Sequence, residues 1–482
     1  MTGKSPNGAA AVTILAAAQA QARAQVTEVV TESIRRRRWL DKLNGYEMRV
    51  EATPSTTRQV EALNIGIASP PTSPEALIIG KDVLTGNTVF GDPMELYRRK
   101  VVNGINTVIL GDVGHGKSSY IKCCHVARPL VLADTYVVVI DQKPGQFDDG
   151  QTGGEYTALS SELRDDMGPG FASRVAFRTD GTGSRVNIYD RRLTANPIKH
   201  AALVQVVAEH ASGGEVRGLP GAALRIANKA VPRIAEVDLR PEGDIRDLVT
   251  ALRFPAAEDA ARLGISLARL RRAGADLAAD LERLIEGDLA GIMDGPTSDD
   301  VRLDARFTVF DVSDLPENGP ALSIAMLIIQ DIVRSEIAAA FKRGEKRLTY
   351  YNAEEGWTLL DGPPARMQRR NWKYSRGLAM ANLAALHHVA DVKEGSDGEA
   401  VLKEAEFVLI FRQKTLDDAQ RCVKYWNLPE GSEQMLMSLP PGHFLYKVGS
   451  ADPILVEHIR SPWEMMMTNT DSAIDHDKQR SA

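Results

Sequence analysis

The stretch Gly111-Asp-Val-Gly-His-Gly-Lys-Ser118 decides the fold. It fits the pattern G-x-x-x-x-G-K-[ST] and stands between an apolar run, Thr107–Leu110, and a helix predicted over Ser118–Val126. Gly111, Gly114 and Gly116 let the backbone turn its N–H groups inward around phosphate oxygens. The start of the helix adds the positive end of its dipole. Lys117 supplies a charge for the β- and γ-phosphates, and Ser118 a hydroxyl for Mg²⁺. The cradle is therefore expected to run from Gly111 through Asp112, Val113, Gly114, His115, Gly116, Lys117 and Ser118 to Ser119. The implied ligands are a nucleoside triphosphate and Mg²⁺. A loop of this kind does not separate a kinase, a GTPase switch and a motor ATPase. That distinction lies with the carboxylates.

Working outward, three strand-like runs end in acids. Tyr136–Ile140 ends at Asp141, Phe307–Phe310 at Asp311, and Leu348–Ala353 at Glu354-Glu355. Hydrolysis needs one acid near the Mg²⁺ shell and one to orient the attacking water. Adjacent acids at a strand tip supply both, because successive side chains point differently. Glu354-Glu355 is the adjacent pair at such a tip, two residues before Trp357. Basic residues follow at Arg366, Arg369, Arg370, Lys373 and Arg376, and one of the arginines is a candidate to reach a γ-phosphate across a subunit boundary.

Continuous apolar runs such as Tyr136–Ile140 suit strands buried on both faces of a parallel sheet. Further strands are expected at Leu77–Ile79, Asn87–Phe90, Leu378–Ala381 and Phe407–Phe411, with a long apolar helix at Ala321–Phe341. Residues 195–290 are dense in Ala, Leu, Arg, Glu and Asp at helical spacing, with a break expected near Gly264 or Gly274. After Pro429 a small terminal element is expected, with Gly442–Val448 and Pro453–Ile459 as a β pair. The division that results is 1–76, helix and linker; 77–194, first part of an α/β core; 195–300, an all-α insertion; 301–464, second part of the core; 465–482, a disordered tail.

Composition sets the remaining bounds. The 482 residues carry 58 Lys+Arg and 64 Asp+Glu, a net charge of −6, and 43% are hydrophobic. These are globular values, and the mild acidity argues against a dedicated sequence-specific DNA binder. Cys123, Cys124 and Cys422 form no disulfide framework, which fits a reducing cytoplasm. No run of about 20 apolar residues exists, so any membrane association would be peripheral. The predicted helix Val12–Leu40, ending in Arg35–Arg38, is the candidate docking element; Met1–Gly45 holds seven Lys/Arg against three Asp/Glu.

An ordered motif series resembles the HerA/FtsK superfamily of P-loop motors, and within it the VirB/TraC-type ATPases of conjugative type IV secretion systems. "TGNTVFGDPMELYRRKVVNGINTVILGDVGHGKSS" (85–119) is similar to the family's opening strand and P-loop. "VVVIDQKPGQF" (137–147) with "GGEY" (153–156) is similar to its Asp-Pro-Lys-Gly-Glu-Tyr strand end. "GSRVNIYD" (183–190), "GDLAGIMDGPT" (287–297), "FTVFDVSDL" (307–315), "EEGWTLL" (354–360), "RRNWKYSRGLAMANLAALHHVADV" (369–392), "FVLIFRQ" (407–413) and "GHFLYKVG" (442–449) follow in the family's order. The resemblance implies a RecA-like P-loop NTPase core with an all-α insertion and an N-terminal helical segment. It further implies a homo-hexameric ring with ATP between subunits, and secretion channel or coupling proteins, or DNA, as partners. In it Glu355 matches the catalytic glutamate and Glu354 the Mg²⁺-side acid. Arg369, Arg370 or Arg376 falls where the trans arginine lies, and His388 falls near the γ-phosphate sensor. The departures are Glu for Asp at position 354, Asn352 within a strand, histidine for the sensor glutamine, and the split of the Lys-Gly-Glu-Tyr motif. A DNA translocase, a ring subunit that binds ATP with weak hydrolysis, and a metabolic P-loop enzyme are the competing readings.

Overall fold

The computed structural model describes residues 76–146, 152–287, 289–316, 320–356, 360 and 362–468. The expected helix Val12–Leu40, the linker up to residue 75, Trp357 and the tail beyond residue 468 lie outside them.

Thirteen strands are present among the described residues: β1 (Ile78–Asp82), β2 (Thr88–Phe90), β3 (Thr107–Leu110), β4 (Thr135–Asp141), β5 (Pro144–Gln146), β6 (Thr152–Gly154), β7 (Ala172–Ala176), β8 (Phe307–Asp311), β9 (Leu348–Ala353), β10 (Met380–Leu386), β11 (Phe407–Ile410), β12 (His443–Val448) and β13 (Ile454–Glu457). Eleven form one sheet, in the order β2-β1-β13-β12-β11-β3-β10-β9-β4-β8-β7, and β5-β6 is a separate hairpin. From β11 to β7 every neighbouring pair is parallel. The other four strands add on antiparallel. The terminal β pair expected after Pro429 is thus part of the main sheet, because β12 finds an unfilled edge on β11.

The parallel strands are apolar throughout because both faces are covered. Val108 and Leu110 pack on one side with Trp372, Leu402 and Trp426, while Ile109 packs on the other with Ile121 and Phe444. Val138 and Ile140 face the long helix Pro320–Lys342, and Val137 and Val139 face Val126 and Leu130. All seven residues of β10 are buried. The sequence places this strand too early: Leu378 ends the helix Gly362–Leu378, and Ala379 reverses the chain at φ 48°. The alanines of β10 favour a helix in isolation, and burial between two strands overrides that preference.

Between β7 and β8 lie the helices Arg191–Thr194, Pro197–Ser212, Gly218–Val237, Ile245–Arg253, Ala257–Arg262 and Leu267–Glu286. The chain breaks at Phe254 and at Gly264, not at Gly274. Gly274 sits inside the last helix, where a Cβ would lie 2.8 Å from the Leu252 carbonyl oxygen, so the missing side chain lets two helices meet. Near the C-terminus, helix Pro462–Met467 carries residues 465–467, which the sequence assigns to a tail. It opens with a capping box, Ser461 and Glu464.

The helix after the phosphate-binding loop starts as Lys117–Tyr120, widens to a π-helix over Ile121–Ala127, and finishes as Arg128–Leu130. The polar Asn352 inside β9 serves this widening: its Nδ2 donates to the His125 carbonyl at 3.1 Å. Arg128 binds the C-terminal segment to the same helix, through the Glu464 carboxylate at 2.7 Å and the Ile78 and Ile459 carbonyls. His125 and His458 are buried deeply enough that burial holds each imidazole pKa down at about 3. Both groups must stay neutral in the fold, while the unfolded chain protonates them near pH 6.5. Stability is fully present above that pH and falls as the pH drops toward 3. Urea unfolding at pH 7 and pH 5 should show a loss of about 2 kcal/mol for each histidine. His125→Leu should remove its share of the slope, and an unchanged slope would contradict the assignment.

Candidate functional site

The loop Gly111–Ser118 leaves β3 at the C-terminal edge of the parallel strands. Gly111, Gly114 and Gly116 have φ of 144°, 80° and 100°. A Cβ on Gly111 would lie 2.5 Å from that of Phe411, so at this position glycine answers both the torsion and the space. Asp112 N–H donates to the Arg412 carbonyl at 3.0 Å, and Gly442 N–H donates to the His115 carbonyl at 3.0 Å. The loop is thereby fixed by the ends of β11 and β12. Lys117 is 7% exposed, and its ammonium donates to the carbonyls of Gly111 and Asp112, the latter at 2.9 Å. Burial, helped by the charge of Lys143, pulls its pKa down to about 8, against the opposing pull of Glu355, Asp112 and Glu354.

β10 lies between β3 and β9, and this order sets the geometry. The end of β9 delivers Glu354 and Glu355, both buried, beside the loop. Ser118 Oγ lies 3.4 Å from Glu354 Oε2, across 236 residues of sequence. The end of β10 delivers His387, with Nδ1 3.5 Å from Lys117 Nζ and Nε2 3.5 Å from Glu355 Oε2. A tautomer protonated at Nε2 satisfies both contacts. The sequence reading named His388, but adjacent residues after a strand diverge. His388 turns to Asp418, at 3.3 Å, and its neighbour joins the site.

Lys143, from the turn after β4, reaches the same place. Its Nζ lies 3.3 Å from Ser118 Oγ, 3.6 Å from Glu354 Oε2 and 3.4 Å from Glu355 Oε1. Tyr156 closes the other side by donating its buried hydroxyl to Glu354 Oε1. The remaining strand-end acids place Tyr156. Asp141 accepts its backbone N–H at 2.7 Å, and Asp311 accepts that of Gly154 at 3.2 Å. The two aspartates are register partners on β4 and β8. Burial pushes the Asp141 carboxyl well up, toward its neutral form. Burial acts on Asp311 in the same sense, but Ser313, Arg174 and Arg178 overcome it and hold that carboxyl below the usual range. The pair thus combines one acid favouring neutrality with one held charged.

Of the arginines on helix Gly362–Leu378, Arg369 pairs with Asp397 at 2.9 Å. Arg376 donates to the Asn103 carbonyl at 2.9 Å, before β3 begins and so at the opposite edge of the sheet. The side chains of Arg366 and Arg370 are outside the described residues. Arg460, from the C-terminal segment, lies 3.4 Å from Ser119 Oγ, a neighbour that no sequence signal announces. Lys143 and Tyr156 do carry a signal, since both stand within motifs that follow the strand-end Asp141 closely.

Ser118 and Glu354 offer a hydroxyl and a carboxylate oxygen, the hard donors that Mg²⁺ prefers. That an ammonium already settles among these oxygens shows that they suit a cation. Among the described residues no group of three or more His, Cys, Asp and Glu forms a metal cage.

No protein-family model matches the sequence, and no curated protein matches it. The fold does have solved counterparts. The chain superposes on VirB4 of Thermoanaerobacter pseudethanolicus with a TM-score of 0.64 and 20% identity, covering 82% of this chain and 100% of that one. It also matches the bacterial conjugative coupling protein TrwB, with a TM-score of 0.51 and 12% identity over 80% of this chain and 90% of that one. TrwB in complex with ADP and Mg²⁺ matches at 0.51 and 12%, over 74% and 85%. The resemblance to VirB/TraC-type ATPases carried by the motif series thus extends to the backbone.

Tyr156→Phe should leave a buried Glu354 oxygen without its donor and lower unfolding stability by about 1–3 kcal/mol. Denaturant titration checks this, and wild-type stability would mean that the hydroxyl contributes nothing there.

Proposed function

We propose that this protein is an ATP-hydrolysing motor of the conjugative type IV secretion type. The observation that carries the reading is the convergence of Glu354, Glu355 and His387 on Lys117 and Ser118 from strands far along the chain. Lys117 and the loop amides would hold the β- and γ-phosphates. Ser118 and Glu354 would hold Mg²⁺, which when bound screens the phosphate charge. Glu355 lies one residue further and takes the part of the base that orients water. His387 links Lys117 to Glu355 and so stands where a change at the γ-phosphate reaches the base. The cradle lies on the surface of one subunit, and Arg369 or Arg370 is the candidate to complete it from a neighbour in a homo-hexamer.

The VirB4 and TrwB likenesses support secretion channel or coupling proteins as partners, and DNA or protein as cargo. Among the described residues no helix is long and apolar enough to cross a membrane. We place the protein in the cytoplasm, with peripheral membrane contact through the N-terminal basic segment. A second reading, a ring subunit that binds ATP and turns it over slowly, is favoured by Lys143: its ammonium sits among the oxygens that Mg²⁺ would use.

An ATPase assay with a fluorescent-nucleotide binding assay tests both. Lys117→Ala should abolish binding and turnover together. Glu355→Gln should keep binding and lower kcat by about 10²–10⁴-fold. Wild-type turnover no higher than that of Lys117→Ala would remove the motor reading and leave the second.

A further inference from the structure

A cavity of about 700 Å³ opens at the edge of the sheet opposite the phosphate-binding loop. It lies between the last turns of helices Pro320–Lys342 and Gly362–Leu378 and the turn that leads into β9. The length of β9, at ~3.3 Å per residue, keeps it roughly 20 Å from Glu354. The volume falls in the range of small-molecule sites.

Arg347 lines this cavity and is 9% exposed. Its Nε is sealed from solvent without a hydrogen-bond partner. Its guanidinium lies over the Tyr136 ring, 4.1 Å from the centroid. The nearby acids are engaged elsewhere. Arg343 holds Glu336 at 3.0 Å and Glu345 at 2.7 Å, and Lys346 holds Asp134 at 3.4 Å. The last carbonyls of the two helices are capped by the N–H groups of Arg343, Gly344, Glu345 and Ala379. Among the described residues Arg347 thus makes no ion pair or hydrogen bond; Glu336 and Glu345 attract it only from a distance, their carboxylates being held by Arg343, and a buried charge left so is borne at a cost. Burial accordingly pulls its pKa down. The stack on Tyr136 fixes the guanidinium plane and leaves its edge for an acceptor, the arrangement in which arginine forks a planar oxyanion. Ile337, Leu348 and Leu378 make the walls apolar, and Lys346 and Arg376 add positive charge to the lining.

We propose that this cavity binds an organic carboxylate with an apolar body, the carboxylate forked on Arg347 and the apolar part against Ile337, Leu348 and Leu378. The site is independent of the motor reading, because none of its residues belongs to the phosphate cradle.

The test uses the full chain and octanoate as probe, followed by calorimetric titration, with octylamine and octan-1-ol as controls. Octanoate should bind saturably, and both controls at least about tenfold more weakly. Arg347→Met should weaken octanoate by about tenfold or more and should raise Tm without ligand, because it removes an unpaired buried charge. Leu378→Trp should block octanoate by filling the cavity while keeping Arg347. The proposal is overturned if octanol binds as well as octanoate or if Arg347→Met retains the affinity. A lower Tm for Arg347→Met also overturns it, since that would make Arg347 a support of the fold.

Discussion

A buried lysine and a half-buried one meet two buried glutamates at the tips of strands β3, β4 and β9, and the rest of the structure is arranged to hold that balance. Lys117 belongs to the loop after β3, the glutamates to the end of β9, and Lys143 to the turn after β4. Such charges are costly to bury singly and are tolerable together. Each element that frames them has a polar anchor of its own. Arg412 and Gly442 fix the loop, Asn352 accommodates the widened helix, and Asp141 with Asp311 carries the segment that ends in Tyr156. The sheet order makes this network local, since β10 places one histidine between a lysine of one strand end and a glutamate of another.

The α/β character and the cradle were legible because each rests on short-range chemistry. A glycine-rich turn between an apolar run and a helix has few alternatives, and fully buried parallel strands write themselves as continuous apolar runs. What was hidden depends on register and on long-range pairing. His388 and His387 differ by one position, and one position reverses the direction of a side chain. The strand expected at Leu378–Ala381 runs instead over Met380–Leu386, because the alanines that extend it have no β preference of their own and two neighbouring strands enclose them. β12 and β13 read as a separate pair because nothing local announces that β11 has a free edge. Asn352 looked like a flaw in a strand when it is the partner of a widened helical turn. Arg347 carried no sequence signal at all, because its lack of an ion pair is a property of where its neighbours' carboxylates are held.

The two carboxylates at the ends of β4 and β8 show how neighbouring residues of one chemical type diverge. Asp141 has a single backbone donor and little solvent, whereas Asp311 has two arginines and a serine. Sequence reading grouped them with Glu354-Glu355 as acids at strand tips. Only the glutamates touch the cradle, and the aspartates act on it through backbone.

The sheet terminates in β2, three residues long, and in β7, where Ser173 and Arg174 are half-exposed and Arg174 is drawn back onto Asp311. Neither border offers the long, flat, apolar rim on which a foreign strand adds. Of the contacts that the described elements can offer another molecule, those through side chains on helices and loops can be made and released without unzipping any ladder.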